Sequence, residues 1–298
     1  METQDVAKLQ KEIRSLKKQV ERLEASRATF ELMVDRNGNL LSRLTELAER
    51  ERDRLAGDLE LAREIQIGLL PKTTPTIPGY QIAGWSQAAV ETGGDYFDWV
   101  QLADGRLVVS IADAAGHGIG PALLVTACRA YFRAATHADE MIEHAMARVN
   151  DLLALDLPKD RFVTIAMCTL DPRSHMLRLY SAGHGPQLFF TAHSASVDDF
   201  HADELPLGVE VPMQVGVARE FRCEPGDSLV LTTDGFFEWA NPDSESYGTA
   251  RMRDFLAAHH HMEPSEFIKT LHASVVGFSR GTKQADDLTA VVIKRCTG

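Results

Sequence analysis

The chain has 298 residues, 44% hydrophobic and 25% charged, with 31 Lys+Arg against 43 Asp+Glu and a net charge of −12, which gives room for one sizeable globular domain plus an accessory segment. Residues 1–70 hold 13 basic and 14 acidic side chains and the remainder holds 18 and 29; the acidic excess therefore lies in the C-terminal part and speaks against a nucleic-acid surface. No apolar run approaches the roughly 20 residues of a membrane helix, so no membrane association is expected.

In chain order, Val6, Leu9, Ile13, Leu16, Val20 and Leu23 follow alternating spacings of 3 and 4 with Lys, Arg, Glu and Gln between them, the a/d register of a coiled coil. Arg27 falls at an a position, Phe30 and Val34 resume the register, and Asn37-Gly38-Asn39 then favours a turn over a helix. Leu41, Leu44, Ala48, Leu55, Ala62, Ile65 and Leu69 return to heptad spacing up to Pro71. Either the helix runs on through a weak point as a parallel dimer, or the chain folds back as a helical hairpin that pairs with a second copy. Both put the apolar face against another helix, and a homodimer through residues 1–70 is expected over a monomeric hairpin, because a lone apolar stripe would be left wet.

Pro71, Pro75, Pro78 and Gly79 mark a linker, so the expected domains are residues 1–72, helical, and 73–298. The second reads as an α+β layered fold, sheet packed on sheet with helices outside. Expected strands are 80–85, 96–102, 106–112, 162–170, 176–181, 188–191, 220–223, 228–232 and 288–294; expected helices are 121–135, 140–155, 249–259 and 265–278. Glu238 to Gly248, polar and turn-rich, is a candidate mobile lid. Cys128, Cys168, Cys223 and Cys296 are far apart with no CxxC pair, and the Met-Glu-Thr-Gln start is not a secretory leader. A reducing, cytoplasmic setting is expected, without a zinc site or a disulfide framework.

Acids recur at the ends of these strands. Asp113 closes the β-branched run Leu107 to Ala112 and is followed by Gly116, Gly118 and Gly120; Asp95 follows Gly93-Gly94; Asp234 precedes Gly235; Asp286-Asp287 precedes the last strand. Each alone is an ordinary turn signal. Together they suit hard divalent cations, which take oxygen ligands and keep several waters, and two such ions can clamp an attacking water and a phosphoryl oxygen.

The series L-A-R-E-I-Q-I-G-L-L-P, G-G-D-Y-F-D, D-A-A-G-H-G, S-A-G-H-G-P, T-D-G-F-F-E and D-D-L-T resembles the bacterial SpoIIE-like branch of the metal-dependent protein phosphatases, the protein phosphatase 2C (PPM) superfamily. It runs in the family's order from about Leu61 to the C-terminus. The resemblance implies a four-layer α-β-β-α sandwich, two Mn²⁺ or Mg²⁺ ions, and phosphoserine or phosphothreonine on a protein as substrate, typically a STAS-domain anti-anti-sigma factor or a similar partner-switching protein. Asp113 resembles the acid that bridges both metals, the backbone carbonyl of Ala114 resembles a ligand of the second metal, and Asp95 resembles that metal's other ligand. Asp234 and Asp286 resemble the ligands of the first metal, with Asp287 in that place if the pair is shifted by one. The mechanism the resemblance implies is attack on phosphorus by a metal-activated water near Asp113 and Asp95, without a phosphoenzyme.

His117, four residues after Asp113, is a candidate general acid, though a turn-stabilising imidazole accounts for it as well, and His184 reads as structural. The 59–71 helix resembles a regulatory switch, so the coiled coil would relay a signal from an upstream activator. Two other readings stay open: a two-metal nucleotide cyclase, for which only Arg106 lies between Asp95 and Asp113 as a phosphate-binding cation, and a non-catalytic phosphoprotein-binding module on the same fold.

Overall fold

The computed structural model describes residues 2–116, 118–138, 141–158 and 160–297, so His117 and the expected helix start at Glu140 lie outside the described residues. The chain divides into two compact units, residues 1–58 and 59–298.

Helix α1, Glu2–Leu69, passes through Asn37-Gly38-Asn39 without a break, so the hairpin alternative is not the one adopted. The heptad phase explains this: Val34, Asn37, Leu41 and Leu44 keep the 4-and-3 alternation set upstream, so the poor helix formers do not shift the apolar seam. Leu9, Ile13, Leu16, Val20, Leu23, Phe30, Val34, Leu41 and Leu44 are all exposed along this single helix.

Residues 59–298 form the four layers expected. One sheet has the order β1-β10-β9-β6-β7, built from β1 (Tyr80–Gln87), β10 (Leu288–Arg295), β9 (Ser228–Thr232), β6 (Gln187–Thr191) and β7 (Ser196–Phe200). The other has the order β2-β3-β4-β5-β8, from β2 (Asp95–Gln101), β3 (Leu107–Ala114), β4 (Val163–Asp171), β5 (Met176–Ala182) and β8 (Arg219–Arg222). Neighbouring strands are antiparallel throughout. Between the sheets lie Ile82, Phe97, Val109, Ile111, Leu229, Leu231 and Val291, alternate residues of the strands that face inward.

Helices α2 (Ile119–Ala138) and α3 (Ile142–Asp156) cover the second sheet, and α5 (Gly248–His259) and α6 (Pro264–Ser279) cover the first. In α3 the buried Ile142, Ala145, Met146, Val149 and Leu153 recur at helical spacing, one apolar stripe per helix. Helix α6 opens with Pro264 in its first turn, where a missing N–H costs nothing.

Two elements were not expected. Strand β7 is an edge strand whose S-V-D-D-F sequence is half-exposed, so it carries little of the alternation that marks a buried strand. Helix α4, Gly235–Glu238, is a single turn after β9. The candidate lid is a hydrogen-bonded turn: Asn241 Oδ1 accepts the N–H groups of Asp243 and Glu245, Trp239 Nε1 donates to Thr282 Oγ1, and Arg280 and Arg251 pair with Asp243 and Glu245. All four cysteines are free, three of them buried. No helix among the described residues is long and apolar enough to cross a membrane.

Candidate metal centre

The start of β2, the end of β3, the end of β9 and the start of β10 meet at one end of the sandwich, and each delivers an acid. Register fixes the first pair, since Asp95 stands directly opposite Asp113 in the β2–β3 ladder. Like charges so placed destabilise a sheet. Asp95 is buried, and burial first, then Asp113 and Asp287, hold its carboxyl far above the usual carboxylate range. Burial, then Asp234, Asp286 and Asp287, push Asp113 up to about 8. Burial, then Asp286 and Glu238, raise Asp234 to about 6. Asp95, Asp113, Asp234, Asp286 and Asp287 thus share one electrostatic field, so the structure brings all the expected acids together.

Close backbone approaches make this convergence possible. A Cβ on Gly235 would stand 2.0 Å from the carbonyl oxygen of Asp287; only glycine lets the turn after Asp234 lie against the start of β10. A Cβ on Gly94 would stand 2.8 Å from the carbonyl oxygen of Ala114, whose N–H donates to Gly94 O at 2.9 Å. The Ala114 carbonyl is therefore turned toward the loop that carries Asp95.

The two acids of the last motif have different jobs. Asp287 is buried, and its Oδ1 and Oδ2 accept the N–H groups of Ala89 (2.7 Å) and Gly94 (2.5 Å). It braces the β1–β2 loop with both oxygens. Asp286 is exposed and its Oδ1 accepts the Asp287 N–H at 2.8 Å.

Three supporting residues escaped sequence reasoning. Thr233 Oγ1, fully buried, donates to Asp95 Oδ2 at 2.7 Å and accepts the Thr289 N–H at 3.0 Å, tying Asp95 to the β9–β10 pair. Gln66, near the end of α1, holds Gly93 from both sides: Nε2 donates to Gly93 O at 2.6 Å and Oε1 accepts Gly93 N–H at 3.0 Å. Asp98, buried in β2, accepts from Arg133 Nε and Nη2 of α2 at 2.6 and 2.8 Å and forms an ion pair with Arg129 of the same helix at 2.9 Å, anchoring that helix. Thr233 and Asp98 sit inside the quoted T-D-G and G-G-D-Y-F-D neighbourhoods, and that adjacency was the available signal.

His184 is structural, as expected. Its Nδ1 lies 2.9 Å from Thr164 Oγ1, and burial lowers the imidazole to about 4, so it is neutral at pH 7. Thr164 is the register partner of Asp113.

Among the described residues no three His, Cys, Asp or Glu side chains group tightly enough to hold one ion by themselves, which does not suit zinc's closed shell of protein ligands. Magnesium-like ions need only one or two carboxylates and keep their remaining waters. Carboxyls whose charged neighbours are other carboxyls, oxygen-only and partly open to solvent, fit such ions.

The family described as stage II sporulation protein E (SpoIIE) matches residues 103–296. The chain belongs to the SpoIIE family, within the metal-dependent protein phosphatase (PPM) superfamily. Among relatives, it is 22% identical over 243 residues to phosphoserine phosphatase RsbU of Bacillus subtilis, covering 81% of this chain and 71% of RsbU. Protein IcfG of Synechocystis sp. is 23% identical over 265 residues, and there the match takes in 80% of this chain but 41% of IcfG; the chain spans well under half of that relative. In fold, the SiaA-PP2C domain of Pseudomonas aeruginosa superposes with a TM-score of 0.71 at 20% identity, over 82% of this chain and 97% of that domain. SpoIIE-family membership thus agrees with the acids and layers described above.

Proposed function

We propose that this SpoIIE-family chain is a Mn²⁺- or Mg²⁺-dependent phosphatase that hydrolyses phosphoserine or phosphothreonine on a partner protein. The observation that carries the reading is the convergence of Asp95, Asp113, Asp234 and Asp286 from four strand ends. Two hard cations at these oxygens would supply Lewis-acid chemistry, activating water and drawing charge from the phosphoryl oxygens. Asp113, opposite Asp95 in the ladder and within the field of Asp234 and Asp286, would hold the ions together with these acids and the Ala114 carbonyl, with waters filling the rest of each shell. Thr233 orients Asp95, and Asp287 fixes the loop that carries it. The substrate class we favour is a small phosphorylated STAS-domain or similar partner-switching protein, in a cytoplasmic setting.

The exposed seam of α1 supports a homodimer. Val or Ile at the a positions 13, 20 and 34, with Leu at the d positions 9, 16 and 23, is the combination that favours two parallel strands. Because α1 is one helix from this seam to the Gln66–Gly93 clamp, an upstream activator acting on the seam would reach the loop of Asp95. Deleting residues 1–58 tests the relay, which predicts a monomer whose turnover no longer responds to the cognate activator; a truncated chain that the activator still stimulates as it does the full chain removes it.

The catalytic reading is tested by hydrolysis of p-nitrophenyl phosphate and of phosphorylated STAS proteins with Mn²⁺. Release of phosphate that is lost in Asp113→Asn supports it. Absence of release, or cyclic product from ATP or GTP, contradicts it.

A further inference from the structure

An acidic domain that hydrolyses a phosphate ester faces a Coulombic problem, since residues 71–298 carry 18 Lys+Arg against 29 Asp+Glu and the phosphoryl group is a dianion. Cations at the centre offset part of this repulsion, and a positioned arginine beside them would offset more. Most arginines of the domain are already committed to carboxylates: Arg129 and Arg133 to Asp98, Arg178 to Glu143, Arg219 to Asp203. Arg161 differs. Among the described residues its side chain is held only by a backbone carbonyl, Nη1 donating to Ala115 O at 2.8 Å, and the residue is exposed.

Its position follows from register. In the β3–β4 ladder Asp113 pairs with Thr164 and Ala114 with Val163, and the Ala115 N–H donates to Phe162 O at 3.2 Å. Arg161 is the next residue outward, where the ladder opens at the mouth of the acid cluster. A Cβ on Gly116 would stand 2.7 Å from Nη1, so the guanidinium lies close across the loop that follows Asp113. One of five donors is used on a neutral carbonyl, and the remaining fork matches the geometry of phosphoryl oxygens.

We propose that Arg161 binds the phosphoryl group of the substrate, taking oxygens at the mouth of the site and setting the ester's orientation. The assignment rests on the phosphatase reading above. A charge-assisted pair of this kind is worth roughly 10- to 100-fold in anion affinity.

The test uses the full chain with saturating Mg²⁺ and inorganic phosphate as the probe, by calorimetric titration, for wild type, Arg161→Ala and Arg161→Lys. In parallel, kcat and KM are measured for p-nitrophenyl phosphate with Mn²⁺, together with the Mn²⁺ activation constant and the melting temperature. The expected result is a loss of phosphate affinity of roughly 10- to 100-fold in Arg161→Ala, matched by a rise in KM, with partial recovery in Arg161→Lys and an unchanged Mn²⁺ constant. Equal phosphate affinity in wild type and Arg161→Ala overturns the assignment. So does a loss that follows the Mn²⁺ constant and melting temperature in step, because Arg161 would then only brace the Ala115 loop. A wild type that binds phosphate through Arg161 yet releases no p-nitrophenol overturns the hydrolase reading and leaves the anion site standing.

Discussion

Asp95 and Asp98 lie three residues apart on one strand, both buried, and the chain treats them in opposite ways. Asp98 has two arginines on its carboxylate, while the charged neighbours that act on Asp95 are Asp113 and Asp287. A buried charge is tolerated when it is paired and is costly when it is not. Asp98 is part of the scaffold and Asp95 sits where positive charge would be favourable, so substitutions at the two should separate stability from activity.

The largest effect is expected at Asp113. Asparagine there removes a carboxylate charge that would hold the proposed ions, so kcat/KM should fall by at least roughly 10²- to 10³-fold. The metal-free chain should instead melt higher by roughly 2–4 °C, about 1 kcal/mol, because one member of a repelling cluster is gone. Asp98→Asn should show the reverse pattern. Leaving Arg129 and Arg133 without their carboxylate should destabilise the domain by about 2–4 kcal/mol, less than a wholly buried pair because Arg133 is partly exposed, with the loss present with or without Mn²⁺ in denaturant titrations.

Thr233→Val sharpens the contrast from within the site. It strips Asp95 of its hydroxyl donor and leaves the Thr289 N–H unpaired, at a cost of about 1–3 kcal/mol, and Mn²⁺ activation should weaken while thermal stability falls modestly. Gln66→Ala should have the smallest effect, about 1 kcal/mol, read as a few-fold loss of Mn²⁺ affinity through the released Gly93 loop.

Protons and cations compete for the same oxygens, which gives the comparison a pH signature. The folded-state pKa of Asp113 is raised from 3.8 to about 8 and that of Asp234 to about 6, so the folded metal-free chain holds protons that the unfolded chain releases. Stability of the metal-free chain is therefore present at low pH and lost as pH rises from about 4 toward 8. The apparent affinity for Mn²⁺ should move the other way, rising up to about pH 8. Melting curves in chelator and Mn²⁺ titrations at pH 6 and pH 8.5 check both signs.

Much of this architecture is legible in the sequence because it rests on local signals. The β-branched run into Asp113, the glycines beside Asp95 and Asp234, and the apolar stripes of α3 and α6 each announce their element. What stays hidden depends on partners far along the chain. Asp287 looks like an equivalent of Asp286 until its two oxygens are seen to close on Ala89 and Gly94, and Thr233 becomes a support only when β10 lies beside it. Strand β7 carries too little apolar contrast to be noticed, and Asn37-Gly38-Asn39 looks like a break although the seam's phase passes through it unchanged.

Calorimetric titration of Mn²⁺ into the metal-free chain at pH 8 tests the centre most directly. The account predicts two ions bound per chain, with binding lost or reduced to one ion in Asp113→Asn and kept in Asp98→Asn under conditions where both variants are folded. Wild type that takes up no ion at millimolar Mn²⁺, or an Asp113→Asn titration that overlays it, would contradict the account.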